Sequence, residues 1–285
     1  MTLLCVGRYR WTIGMRVGLA ALALVPVLAS AAGVVDIVEC GQTVESGQVG
    51  RLRGDLECEH LPTYPFSPDG VRLNGDATLE LGGFTIRGTD PVNSVGVYCH
   101  SGLRGRCRVN GPGEITGFWA GLNGGGCRMV LRDVVLRGNT NGVVGILRCN
   151  LDARDVRVVE NEEFGLWVSR LRARDVTVSG NGYVGVSAGR IKARGLTATG
   201  NGAEGVGQAS IRGRFGRLVD SAVTGNGVTG SGSRVDQLGL DVAGAGRLVL
   251  RGTECGRSAR LKWPRVVDSS DDRPTIVGSY GCRDD

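Results

Sequence analysis

Residues 171–190, LRARDVTVSGNGYVGVSAGR, hold three short alternating runs separated by turn-forming residues. Leu171 and Ala173 share one face of an extended segment, because successive strand side chains point to opposite sides. Val176 and Val178 also share a face, but their parity is shifted by one, which places a corner at Arg174-Asp175. Ser179-Gly180-Asn181-Gly182 is a second cluster of turn formers. Val186 and Ala188 then form a third short strand. Three short strands joined by corners make one triangular coil.

The same phrase recurs on both sides of this stretch. Asp155, Asn161 and Gly165 have the spacing of Asp175, Asn181 and Gly185, as do Asp220, Asn226 and Gly230. Gly195, Asn201 and Gly205 repeat it with Gly in the Asp slot, and an earlier copy opens with Asp133 and Asn139. The copies advance by 22, 20, 20 and 25 residues, a period that specifies stacked coils. Stacking predicts inward columns of Leu151, Leu171 and Ile191; of Ala153, Ala173 and Ala193; of Val156, Val176 and Leu196; and of Ile146, Leu166, Val186 and Val206. At a strand spacing of ~4.8 Å per coil, such columns fill a narrow core without large side chains. Gly and β-branched residues throughout each copy disfavour helical repeats. Asn139, Asn161, Asn181, Asn201 and Asn226 form a column suited to a left-handed corner and to an amide ladder.

The pattern extends toward the N-terminus through Leu79, Leu81, Phe84, Ile86 and Gly96-Val97, then Val109, Ile115 and Gly121-Leu122. Roughly seven or eight coils are expected from Gly70 to Gly256. Residues 209–217 are expected to loop outward, which would explain the 25-residue step. The expected fold is therefore all-β: a parallel β-helix of three-strand coils with end caps at about 33–69 and 253–285. Pro62, Pro65, Pro68, Pro264 and Pro274 oppose continued strand pairing in the caps.

Composition agrees with this fold. The 285 residues include 49 glycines and only 5% aromatics, which suits many turns around an aliphatic core. Arg8, Arg10 and Arg16 precede an apolar run from Val17 to Leu28 and then Ala29-Ser30-Ala31, the pattern of a signal peptide over residues 1–31. Met15 offers a second plausible start. The run is short for a membrane span and contains Pro26. The mature chain would then be one domain, residues 32–285, secreted or periplasmic. Its formal net charge would fall from +6 to about +3 with the three arginines lost, too mild an excess to argue for nucleic acid.

Of nine cysteines, Cys5 leaves with the leader. In an exported chain the others imply disulfides, and local pairing gives Cys40–Cys58, Cys99–Cys107, Cys127–Cys149 and Cys255–Cys282. No CxxC occurs, and His60 and His100 are the only histidines, so no metal site is expected.

The opening VECGQTVESGQVGRLRGDLEC, followed by VRLNGDATLELGGFTIRG, resembles secreted bacterial right-handed parallel β-helix repeat proteins of the pectin-lyase-like superfamily. The matching segments are Cys40-Gly41-Gln42-Thr43, Asp55-Leu56-Glu57-Cys58 and Leu79-Glu80-Leu81-Gly82-Gly83-Phe84-Thr85-Ile86. The resemblance implies a right-handed β-helix and export. It does not fix an activity, since such proteins include lyases, hydrolases, epimerases and members with no known reaction.

Each reaction demands its own residues. Arg190-Ile191-Lys192 resembles the Arg-Ile-Lys motif of polygalacturonase-like hydrolases, but Ile191 falls in a core column and the paired acids of such enzymes do not accompany it. Asp133, Asp155 and Asp175 form an acid column that could hold Ca²⁺ for a lyase, yet Arg132, Arg154 and Arg174 precede them and favour self-neutralising corners. An epimerase-like site would draw on Asp90, Tyr98, His100 and Glu114. Asp90-Pro91-Val92-Asn93 matches that family's Asp-Pro-His-Asp motif only in part. For binding, alternation sends Trp167 outward, and Trp119, Glu163 and Tyr183 align in the turn row before a strand. Such aromatics stack on sugar faces, and Arg172, Lys192 and Arg194 attract acidic glycans. The expectation is a protein that binds, or also modifies, an extracellular or envelope polysaccharide; the alternative is a non-catalytic structural or adhesive solenoid.

Overall fold

The computed structural model describes residues 33–59, 70–89, 91–100, 105–146, 149–202, 211–224, 226, 242–244, 247–255 and 275–277. The expected leader and Cys282 lie outside these residues, as do Asp90, His60 and Val206. No helix among the described residues is long and apolar enough to cross a membrane.

Among the described residues every strand pairing is parallel, and the strands fall into three rows, as a β-helix requires. The first row contains Val71–Asn74, Val95–His100, Ala120–Gly125 and Asn141–Ile146, then residues 164–168, 184–188 and 211–213. The second contains Val49–Leu52, Thr78–Glu80, Arg106–Asn110 and Arg128–Arg132, then residues 150–154, 170–174, 190–194 and 216–219, and Arg247–Arg251. The third contains Leu56–Cys58, Thr85–Gly88, Glu114–Thr116 and Val135–Arg137, continuing through residues 156–159, 176–179 and 197–199 to Ala222–Thr224.

The coils contract from the N-terminal end to the 20-residue steps and widen again beyond Asn201. Cross-coil hydrogen bonds join residues 29 or 30 apart in the first coils, 22 apart at Asn139, 20 apart at Asn161 and Asn181, and 25 apart at Asn201. The core shrinks to match. One buried column runs Leu79, Val109, Leu131, Ala153, Ala173 and Ala193; another runs Ile86, Ile115, Leu136, Val158, Val178 and Ala198. A shorter perimeter encloses less volume, so smaller side chains keep the packing dense.

The corners divide their labour differently from expectation. The left-handed conformation falls on the Asp slot, with φ of 54° at Asp133, 53° at Asp155, 52° at Asp175 and 46° at Asp220, and Gly195 takes the slot at 65°. The Asn residues are instead buried inside the next corner, where each side-chain amide bonds the next coil. The residue before each Asn is left-handed as well: Gly138, Glu160, Gly180 and Gly200. The glycine closing the phrase permits close approach. A Cβ on Gly165 would lie 2.5 Å from the carbonyl oxygen of Gly185 in the next coil.

Three further expectations are corrected. Val143, not Ile146, is the register partner of Leu166, because the step between those coils is longer than 20 residues. Residues 211–217 do not loop outward but belong to a strand, Ile211–Val219, paired with Val184–Thr199. The expected N-terminal cap enters the stack too: Gln42–Val44 pairs with the first row and Val49–Leu52 with the second, because Ile37, Val44, Leu52 and Leu56 supply a buried face. Cys40–Cys58 is bonded, with Cα atoms 5.6 Å apart, and closes this first coil. Cys99, Cys107, Cys127 and Cys149 are buried thiols, so the expected bonds Cys99–Cys107 and Cys127–Cys149 are not formed in the structure. Cys255–Cys282 falls outside the described residues.

Candidate functional site

The second row builds the most distinctive surface of the protein. Alternation buries Leu171 and Ala173 and turns Arg170, Arg172 and Arg174 outward; in the next coil it buries Ile191 and Ala193 and turns out Arg190, Lys192 and Arg194. Register then sets Arg170 on Arg190, Arg172 on Lys192 and Arg174 on Arg194. Neighbouring coils are ~4.8 Å apart and alternate residues about 7 Å apart along a strand, so the six cations form a two-dimensional grid. The grid continues through Arg217 toward the C-terminus and through Arg154, Arg128, Arg132, Arg106 and Arg108 toward the N-terminus.

Acids neutralise its margins and leave its centre charged. Asp152 pairs with Arg128 at 3.4 Å and Arg132 at 3.1 Å; Arg154 pairs with Asp155 at 3.1 Å and Arg194 with Asp220 at 3.3 Å. Among the described residues, no ion pair joins Arg170, Arg172, Arg174, Arg190 or Lys192 to an acid. Two like charges ~5 Å apart repel by about 1 kcal/mol in water and by about 3 kcal/mol at an effective dielectric of 20. Fold stability gains nothing from such an arrangement. The expectation that each corner Asp neutralises the preceding Arg holds at Arg154–Asp155 only, since Arg132 reaches across the coil to Asp152 instead. A shallow depression interrupts the grid where the short Asn150 stands between Arg128 and Arg170; Leu151, Asp152 and Arg172 complete its lining.

An aromatic cluster occupies the adjoining first row. Trp167 is 50% exposed, as alternation predicts. Its ring stacks on Phe164 at 5.1 Å, and Tyr183 meets Phe164 edge-on at 5.0 Å. Trp119 and Glu163 share the turn row with Tyr183, connected through hydrogen bonds at Thr140, Asn141 and Tyr183. The basic and aromatic sets therefore lie on consecutive rows that meet at the Ser169 corner, with Trp167 and Arg170 on either side of it. They do not line one strip.

The residues weighed for catalysis are not brought together on one row. Tyr98 and His100 stack at 6.1 Å on the first row, while Glu114 lies in the third row between Thr85 and Val135. Strand alternation sends both rings outward from one strand and puts the carboxylate on a different wall. Among the described residues, no group of three or more His, Cys, Asp or Glu is placed to hold a metal ion.

Sequence reasoning named Arg172, Lys192 and Arg194 as glycan contacts, read Arg174 and Arg190 in other patterns, and missed Arg170. The signal was present: Arg-x-Arg-x-Arg at 170–174 is repeated one coil later as Arg-x-Lys-x-Arg at 190–194.

No protein-family model matches the chain, and no curated protein does. Among solved structures, the fold is similar to that of the periplasmic alginate epimerase AlgG, with a TM-score of 0.60 and 12% sequence identity, covering 88% of this chain and 80% of that one. The likeness agrees with the parallel β-helix that the repeat and the pectin-lyase-like resemblance predict.

Proposed function

We propose that this chain binds an acidic polysaccharide in an extracytoplasmic compartment, along the outer face of the second row. The carrying observation is the register of Arg170, Arg172 and Arg174 on Arg190, Lys192 and Arg194, a cationic grid of which, among the described residues, only Arg194 is ion-paired to an acid. Guanidinium groups bind carboxylates through paired, charge-assisted hydrogen bonds. An open face that crosses several coils suits a polymer better than a small molecule, because a small ligand needs a concave site. Trp167 and Tyr183, just across the Ser169 corner, offer ring faces for sugars of the same chain. The name of the similar β-helix, an alginate epimerase, supports the choice of an acidic sugar polymer.

A second reading, a structural or adhesive solenoid without catalysis, is favoured by the separation of Tyr98 and His100 from Glu114 on different rows. Glycan-array binding tests the first reading, with the wild type beside Trp167→Ala and Tyr183→Ala. Binding to uronate-rich glycans, weakened by either substitution, is expected; binding to no acidic glycan would remove it. Incubation with uronate polymers, with and without Ca²⁺, followed by a search for unsaturated products and by NMR of alginate, separates binding from conversion.

A further inference from the structure

Four buried cysteines gather at the corner between the first and second rows, and two glycines make room for them. Gly124 is the register partner of Cys99 on one side and of Gly145 on the other. A Cβ on Gly124 would lie 2.5 Å from the Cys127 sulfur and 3.1 Å from the Cys99 Cβ. At Gly145 the corresponding space is taken by the Cβ of Cys149, 2.9 Å away. Two successive coils therefore give up a side chain where a sulfur-bearing one must fit.

The cysteines are also paired in space. Cys127 and Cys149 occupy equivalent places on adjacent coils: the carbonyl of Cys127 accepts the N–H of Asn150 at 2.9 Å, and the following residues, Arg128 and Asn150, are register partners. Rungs ~4.8 Å apart bring the two Cα atoms within the span a disulfide bridges. Cys99 ends a first-row strand, and Cys107 lies in the second-row strand of the same coil. The Cys99 side chain neighbours that of Cys107, whose thiol donates to the carbonyl of Leu73 at 3.8 Å, and the Cys149 side chain neighbours that of Cys127.

We propose that Cys99–Cys107 and Cys127–Cys149 become disulfides as the chain folds in an oxidising compartment, the first closing one coil across its corner and the second stapling two successive coils. In each pair two S–H bonds break and one S–S bond forms. A small-molecule or protein disulfide accepts the two electrons and two protons by thiol–disulfide exchange and leaves as two thiols. Burial and then contact with Cys107 push the Cys99 thiol well above its ordinary pKa, and contact with Cys127 and then burial raise that of Cys149, so the attacking thiolate is scarce once the coils have closed. Exchange therefore belongs to folding, and the finished bonds are shielded from reductant.

The test uses the full chain refolded in a glutathione redox buffer and taken forward once Cys40–Cys58 is linked. It is denatured in an alkylating agent without reductant, digested and mapped by mass spectrometry. Linked peptides carrying Cys99 with Cys107 and Cys127 with Cys149 are expected. Four alkylated cysteines beside an intact Cys40–Cys58 bond would overturn the proposal, and so would crossed pairing such as Cys99 with Cys127. The wild-type map requires no variant to fold.

Discussion

The side-chain amide of Asn161 donates through Nδ2 to Oδ1 of Asn181 at 2.7 Å, and Asn181 repeats the bond to Asn201 at 2.7 Å. The backbone N–H of Asn161 donates to the same Asn181 oxygen at 3.2 Å, and the Asn181 Nδ2 also reaches the carbonyl of Val158 at 3.2 Å. Each buried amide thus satisfies its own corner and the two beside it. The column is a structural spine, and a sugar would have to break it to reach it.

Removing one member takes hydrogen bonds from partners on both sides. Asn181→Ala deprives the backbone N–H and Nδ2 of Asn161 of their Oδ1 acceptor, and removes the side-chain donor to the Val158 carbonyl and one of two donors to Asn201 Oδ1, whose bond from the residue 181 backbone N–H remains. Each orphaned buried group costs ~1–3 kcal/mol, so a loss of roughly 3 kcal/mol is expected in urea unfolding.

Glu160 and Gly180 hold the same left-handed place in adjacent coils, at φ of 56° and 64°. Glu160→Gly should raise stability by about 0.5–1 kcal/mol, since Gly avoids the left-handed penalty and the exposed Arg137–Glu160 pair contributes little. Gly180→Ala should lower stability by a similar amount. Opposite shifts of the denaturation midpoint are the check.

The cationic grid implies a trade between stability and binding. Arg172→Gln with Lys192→Gln removes two charges that form no ion pair among the described residues, and thermal stability at low ionic strength should rise modestly, by about 0.5–1 kcal/mol. Added salt should raise the melting temperature of the wild type more than that of the variant, because screening relieves the same repulsion.

The reduced protein should lose stability as the pH rises. The Cys99 thiol is held well above its ordinary value of 9.0, first by burial and then by its contact with Cys107, and Cys149 is raised by contact with Cys127 and by burial. A folded pKa above the unfolded one means that the unfolded chain releases these protons first. Their contribution is complete below about pH 9 and declines above it. Urea unfolding of fully reduced protein from pH 7 to 10 should show this decline, and protein with both proposed disulfides should not.

Much of the scaffold was legible in sequence because each coil repeats its neighbour's environment. Leu151, Leu171 and Ile191 stack as alternation requires, and the Asp-to-Asn-to-Gly phrase marks two corners and a close approach. What misled was unequal coil length. A fixed 20-residue step put Ile146 where Val143 stands and took the strand at 211–217 for a loop. Side-chain choice inside a corner was not legible either: Asn and Asp both suit left-handed backbone, and only burial shows that Asn turns inward while Asp takes the positive φ. The site was half legible. Trp167 followed from alternation and Lys192 from its charge, but the two-dimensional grid requires the register between strands, which no single coil contains.

The most direct test is a titration of oligouronates of increasing length into the wild type and into Arg172→Glu with Lys192→Glu, at two salt concentrations. The account predicts wild-type affinity that rises with oligomer length, falls steeply with salt and drops at least tenfold in the charge-reversed protein, whose fold is checked by circular dichroism. Equal affinity in both proteins, or none in either, would contradict a polyanion-binding role for the second-row face.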